Sequence, residues 1–222
     1  MEDILLKIAY CIEFGKVDKT SPYPPDMKDK DGASELTKQA LDMGIKPEII
    51  LNNALIVGMD KVGQKFAEKK IFIPQMLMSA KAMNAAIEHL KPFFNSGEIR
   101  RKGKFIIATV QGDLHDIGKN LVKMAIEGAG WEVIDLGIDV KSDKIIEVLS
   151  QNPEAKVGLS ALLTTTMQNM RDTVKVIKDK FPDSTVLIGG APVNEEFRKQ
   201  IGADFYSPDP QGAVAYLNKI AS

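Results

Sequence analysis

A carboxylate, an imidazole and a glycine stand in the order Asp113-x-His115-x-x-Gly118 directly after the apolar run Phe105-Ile106-Ile107-Ala108-Thr109-Val110. A short β-rich run of this kind reads as a buried strand. The imidazole is then presented just beyond the strand's carboxyl end, where open α/β sheets bind their ligands. A histidine in that place can pass a proton to a substrate or bind a metal. As a ligand it needs its second ring nitrogen fixed by an acceptor, and Asp113 is the candidate. The chain has only two histidines, so His115 carries most of the chemical information. Taken alone, the stretch also fits a solvated or capping loop histidine.

Two further sets fall at strand ends. Ser160-Ala161-Leu162-Leu163-Thr164-Thr165-Thr166 sets a row of hydroxyls after a run at 156–160, and Gly189-Gly190-Ala191-Pro192 follows a run at 185–189. A hydroxyl at Thr166 or Thr164 could orient Asp113, and the glycine pair lets a bulky ligand approach the backbone. Each set has an ordinary reading too, as a helix cap or a turn. Their recurrence on successive crossovers is what points to a site. No second histidine or cysteine lies nearby, so a four-ligand zinc cage cannot be assembled. His89 belongs to a helical segment and reads as packing or surface. One protein imidazole suits a metal whose other ligands come from a macrocycle. No G-x-G-x-x-G follows the first strand and no phosphate-binding loop motif occurs, which argues against dinucleotide and nucleoside-triphosphate sites.

The elements that must position these residues change rhythm along the chain. From 104 onward, β-rich runs at 104–110, 132–136, 156–160, 185–189 and 204–206 alternate with amphipathic segments near 118–129, 142–151, 167–181, 194–201 and 210–221. Strict alternation predicts right-handed crossovers and a doubly wound parallel sheet, flavodoxin-like or Rossmann-like. Residues 1–92 instead show helical spacing. Ile4, Leu5, Ile8 and Ile12 mark one helix, and Leu36, Ala40 and Met43 a second, ending near Gly44. A third is opened by Pro47 and carried by Ile50, Ala54, Val57 and Val62; a fourth opens at Pro74 and ends before Pro92. Four helices with mostly short connections predict a bundle. The expected fold is thus an N-terminal four-helix cap over 1–92, a polar linker at 93–103 and an α/β domain over 104–222. Residues 17–32, with Pro22, Pro24 and Pro25, form a long polar loop between the first two helices.

Composition bounds the partners. A formal net charge of -1 gives no long-range attraction for nucleic acid or an anionic membrane. The single cysteine, Cys11, cannot form an internal disulfide and sits in an apolar run, as a small buried hydrophobe would. An acidic N-terminus, with neither a basic leader nor a long apolar stretch, predicts a cytoplasmic protein with no membrane partner.

Asp113-x-His115-x-x-Gly118, Ser160-x-Leu162 with Thr164 and Thr166, and Gly189-Gly190 together resemble the cobalamin-binding region of methionine synthase. They are closer still to the stand-alone corrinoid proteins of methyltransferase systems. In the helical half, Gly58-Met59-Asp60-Lys61-Val62-Gly63-Gln64-Lys65-Phe66 and residues 71–83, Ile71 to Met83, resemble the cap of those proteins. The resemblance runs from about residue 33 to the C-terminus. It implies cobalamin or a related corrinoid held between the halves, in methylcobalamin and Co(I) forms, with cobalt ligated axially by His115. Asp113 would bond that imidazole and Thr166 would bond Asp113. Leu114, Asp116, Ile117 and Gly118 would contact the cofactor, as would Ser160, Leu162, Thr164, Gly189, Gly190 and Ala191 along its nucleotide tail. Phe66, Ile73 and Met76 would lie over its upper face, although most methionines of 76–83 read as bundle core.

The resemblance also implies a carrier with no active site of its own. A substrate-specific methyltransferase would methylate it, a second would pass the methyl group to tetrahydrofolate or a thiol coenzyme, and a reductive activation protein would restore Co(I). Two departures stand out: Thr166 replaces the serine common in the family, and the loop 17–32 resembles an insertion. Three alternatives stay open at this point. They are a cobalamin-dependent sensor, which would need a DNA-binding module; an adenosylcobalamin isomerase subunit, which usually lacks such a cap; and a plain flavodoxin-like module, which would be colourless or yellow.

Overall fold

The computed structural model describes residues 2–221. The chain divides into two compact units. One takes the chain as far as Arg101, with Gly128–Gly130, and the other takes Lys102–Glu127 and the chain from Trp131 onward.

The first unit is helical. Its elements are α1 (Glu2–Phe14), α2 (Ala33–Asp42), α3 (Pro47–Ile50), α4 (Ile56–Ala67) and α5 (Ile73–Asn95). A π-helical turn, Leu51–Leu55, joins α3 and α4 into one rod. That wider turn shifts the helix phase, so Leu55 and Met59 face the core and Val57, expected inside, is 38% exposed. Gly58 lies where α4 crosses α1: a Cβ there would stand 2.7 Å from the Cβ of Ile12 and 2.8 Å from the carbonyl of Ala9.

Pro74 opens α5 as expected, but Pro92 does not end it. A proline removes one N–H and crowds the carbonyl four residues back. Here that carbonyl belongs to exposed Glu88, and only one turn remains to be held. Ser96 N–H bonds the carbonyl of Pro92, and buried Ile99 bonds that of Phe93, so the chain stays helical through Asn95.

In the second unit, β1 (Lys104–Thr109), β2 (Glu132–Asp135), β3 (Lys156–Ser160), β4 (Val186–Gly189) and β5 (Phe205–Tyr206) form one parallel sheet in the order β2-β1-β3-β4-β5. This is the flavodoxin-like doubly wound order. The crossovers are α6 (Ile117–Gly128), α7 (Ser142–Gln151), α8 (Met167–Lys180) and α9 (Glu195–Ile201), with α10 (Pro210–Ala221) closing the chain. The interior of β1, Phe105 to Thr109, is wholly buried, as a central strand covered on both faces must be. In the register, Thr109 pairs with Ser160 and Ser160 with Gly189. The loops leaving β1, β3 and β4 therefore start side by side. β5 has only two residues, and its Phe205 stacks on Tyr216 of α10 at 4.1 Å between ring centres.

Replacing Gly58 by valine should destabilise the helical unit by about 2 kcal/mol, since the added methyl groups must enter a filled crossing. A lower midpoint in chemical unfolding, followed by circular dichroism, is the expected result.

Candidate functional site

The turn after β1 carries the chemistry. Gly112 adopts a φ of 84°, a left-handed conformation that glycine takes without strain. Its N–H donates to Asp139 Oδ1 at 2.7 Å, and the N–H of Asp139 donates to the carbonyl of Asp113 at 3.0 Å. Asp139 itself has a φ of 52°, so the loop after β2 is shaped to brace this turn.

The Asp113 side chain is fully buried. Its Oδ1 accepts from the N–H of His115 at 3.0 Å and from His115 Nδ1 at 2.7 Å. Its Oδ2 accepts from the N–H groups of Leu162 at 2.6 Å and Leu163 at 3.3 Å, and from Thr166 Oγ1 at 2.9 Å. The single proton of Thr166 also faces the carbonyl of Leu163 at 2.9 Å, but a carboxylate is the stronger acceptor. Burial alone would raise the pKa of Asp113. The donors from Leu162, His115 and Thr166 outweigh it and hold the carboxyl well below the usual range. In the neutral ring an ionised partner places the hydrogen on Nδ1 and leaves Nε2 its lone pair. The ring is 51% exposed, and Nε2 makes no hydrogen bond among the described residues.

The other expected residues divide. Thr166 is buried on the carboxylate, whereas Thr164 is exposed and gives it no bond. Leu162 contributes its N–H to Asp113 and exposes its side chain. Ser160 ends β3 half-buried, and its carbonyl accepts from Val110 N–H at 3.0 Å. Asp116 accepts from the side chain of Asn120 at 3.0 Å. Gly118 has open space where a side chain would be. A Cβ on Gly190 would collide with the carbonyl of Ala161, and its φ of 129° is closed to other residues. Gly189 is half-buried and Ala191 exposed beside it. Leu114, Ile138, Leu162 and Leu163 on the loops after β1, β2 and β3, and Ile117 at the start of α6, all expose their side chains. Such a gathering of exposed apolar groups at one sheet edge marks a ligand surface. In the helical unit Ile73 is exposed and Phe66 half-buried, while Met76 is 1% exposed and serves as core.

Three residues were not singled out from the sequence. Thr109, fully buried, donates its hydroxyl to the carbonyl of His115 at 2.9 Å. Asp139 braces the turn as described. Lys119, also buried, donates to both oxygens of Asp135 at 2.8 Å and to Asn120 Oδ1 at 2.8 Å, tying the first turn of α6 to the end of β2. The lysine outweighs burial and holds the Asp135 carboxyl below its ordinary value. A polar residue in an otherwise apolar strand was the available signal for Thr109, because a buried hydroxyl needs a partner.

Among the described residues, no group of three or more histidine, cysteine, aspartate or glutamate side chains could hold a metal ion. No described helix is long and apolar enough to cross a membrane. One imidazole with a fixed tautomer and an open nitrogen, glycines without side chains and a fringe of exposed leucines fit a tetrapyrrole metal complex well.

Comparison with known proteins defines the class. Residues 103–215 and 28–91 each match a model described as a B12 binding domain. The dimethylamine corrinoid protein 3 of Methanosarcina acetivorans is 37% identical over 178 residues, 79% of this chain and 84% of that one. Corrinoid protein DSY3155 of Desulfitobacterium hafniense is 36% identical over 86% of this chain and 91% of its own length. Among solved structures, the methanol:cobalamin methyltransferase complex MtaBC from Methanosarcina barkeri matches with a TM-score of 0.82 at 29% identity, covering 99% of this chain and 80% of that one. A cobalamin-binding protein from Desulfitobacterium hafniense matches with a TM-score of 0.74 at 30% identity, covering 97% of both chains. The chain belongs to the B12-binding corrinoid proteins related to methyltransferase systems. It is a corrinoid-binding protein with a helical N-terminal region and a Rossmann-like sheet domain.

Asp113 lets a pH prediction be made with a definite sign. Its folded pKa is depressed, so its contribution to stability is fully present above the unfolded value near 3.9 and is lost as pH falls toward the folded one. Asp113→Asn should cost about 2–4 kcal/mol at neutral pH. The gap between variant and wild type should narrow below about pH 4, as denaturant titrations across pH would show.

Proposed function

We propose that this protein is a methyl carrier, with His115 as the axial ligand to the cobalt of its corrinoid. The observation that carries the reading is the Asp113–His115 pair: Nδ1 is committed to a buried carboxylate at 2.7 Å while Nε2 has no partner among the described residues. When bound, the corrinoid supplies a metal centre that accepts a methyl group and gives it up again.

The rest is done by the chain's own groups. Asp113 fixes the ring's tautomer and strengthens Nε2 as a donor. Thr166 and the Leu162 N–H hold Asp113 in turn. Gly118 leaves open space for the nucleotide tail, beside Ser160, Leu162, Thr164 and Gly189, while Gly190 lets the carbonyl of Ala161 approach. The exposed leucines and isoleucines of the sheet loops exclude water from the corrinoid ring.

We assign the methyl donor and acceptor to two partner methyltransferases, with a separate protein for reductive activation. The relatives named dimethylamine and monomethylamine corrinoid proteins, and the match to the MtaBC methyltransferase complex, support a methyltransferase partner.

The test is to load the protein with cob(II)alamin and record its electron paramagnetic resonance with and without 15N-labelled histidine. The label should change the hyperfine splitting in the wild type. His115→Ala should still take up corrinoid but lose all response to the label. A wild type insensitive to the label would refute the assignment.

A further inference from the structure

We propose that Thr109 is a positioning residue that sets where His115 can place its imidazole. The inference rests on His115 as the cobalt ligand and goes beyond the network of Asp113 and Thr166. Both bonds from Asp113 to His115, the N–H at 3.0 Å and Nδ1 at 2.7 Å, end on the same oxygen, Oδ1. One oxygen is a pivot and not a fixture: a residue held only there can swing about it with both bonds intact. The second point of attachment is the carbonyl of His115, which accepts from Thr109 Oγ1 at 2.9 Å.

Thr109 suits this task because it cannot move. It is fully buried, and its N–H donates to the carbonyl of Gly137 at 3.0 Å. Its carbonyl accepts from Val140 N–H at 3.0 Å, and it pairs with Ser160 across the sheet. Downstream, the bonds from Asn120 reach Asp116, one residue beyond the histidine, and leave His115 itself untouched. The strand therefore fixes the main chain of His115 through one hydroxyl, while Asp113 fixes the ring. Together they turn a loop residue into a ligand with a defined reach, and small misplacements of such groups are costly.

Thr109→Val removes the hydroxyl and keeps the shape; Thr109→Ser keeps the hydroxyl. In the cob(II)alamin-loaded protein, the ratio of imidazole-bound to imidazole-free cobalt should fall about fivefold in the valine variant, the effect of one lost hydrogen bond. The imidazole binds the oxidised member of the couple preferentially, so weakening it raises the one-electron potential. Fivefold at 59 mV per tenfold is about 40 mV. Serine should restore both readouts. A merely structural hydroxyl would lower the unfolding midpoint of the corrinoid-free protein and leave ratio and potential unmoved, and that result overturns the inference. If the wild type shows no histidine nitrogen on cobalt, the ligand assignment itself fails and takes this inference with it. If the valine variant does not hold corrinoid, Thr109→Ala set against Thr109→Ser decides by the same two readouts: equal values overturn the proposal.

Discussion

The second unit is organised around one buried carboxylate. Asp113 accepts from five donors, drawn from its own turn and from the loop after β3. A carboxylate out of water is tolerable only when so many donors surround it, and losing any of them exposes the cost of its desolvation. The same bonds that make its burial possible staple two loops together and orient His115. Local stability and the orientation of His115 are thus consequences of one electrostatic arrangement. A substitution there cannot affect one without the other.

Around that centre the chain uses rigid strand ends where a loop alone would be too loose. The pairing of Thr109 with Ser160 and of Ser160 with Gly189 brings three loops to one edge in a fixed order. Asp139, in a left-handed conformation, braces the glycine turn from the β2 side. The Lys119–Asp135 pair anchors the helix that follows the histidine. Buried ion pairs add little net stability, but removing one partner is expensive, so this one acts to fix a single placement of α6. Each device ties the turn to a different neighbour.

Much of this was legible in the residues. The β-rich runs bounded by glycine and polar turns placed all five strands to within a residue or so, because a two-layered α/β unit needs buried strands and amphipathic crossovers. Asp113, His115 and Thr166 were legible because their residue types and spacing fall directly after apolar strands. Two expectations failed for local reasons. Pro92 was read as a stop, although its steric cost falls in the last turn of α5. Val57 was read as core, although the π turn before it rotates it outward. The contributions of Asp139 and Lys119 were not legible, since each depends on a partner brought close only by the sheet order.

The sheet ends on β5, a strand of two residues whose flank is taken up by the stack of Phe205 on Tyr216. A parallel sheet with a long bare margin would invite another chain to add itself there. This margin is too short to template such an addition. The short, covered margin thereby keeps this side of the sheet from pairing with copies of itself.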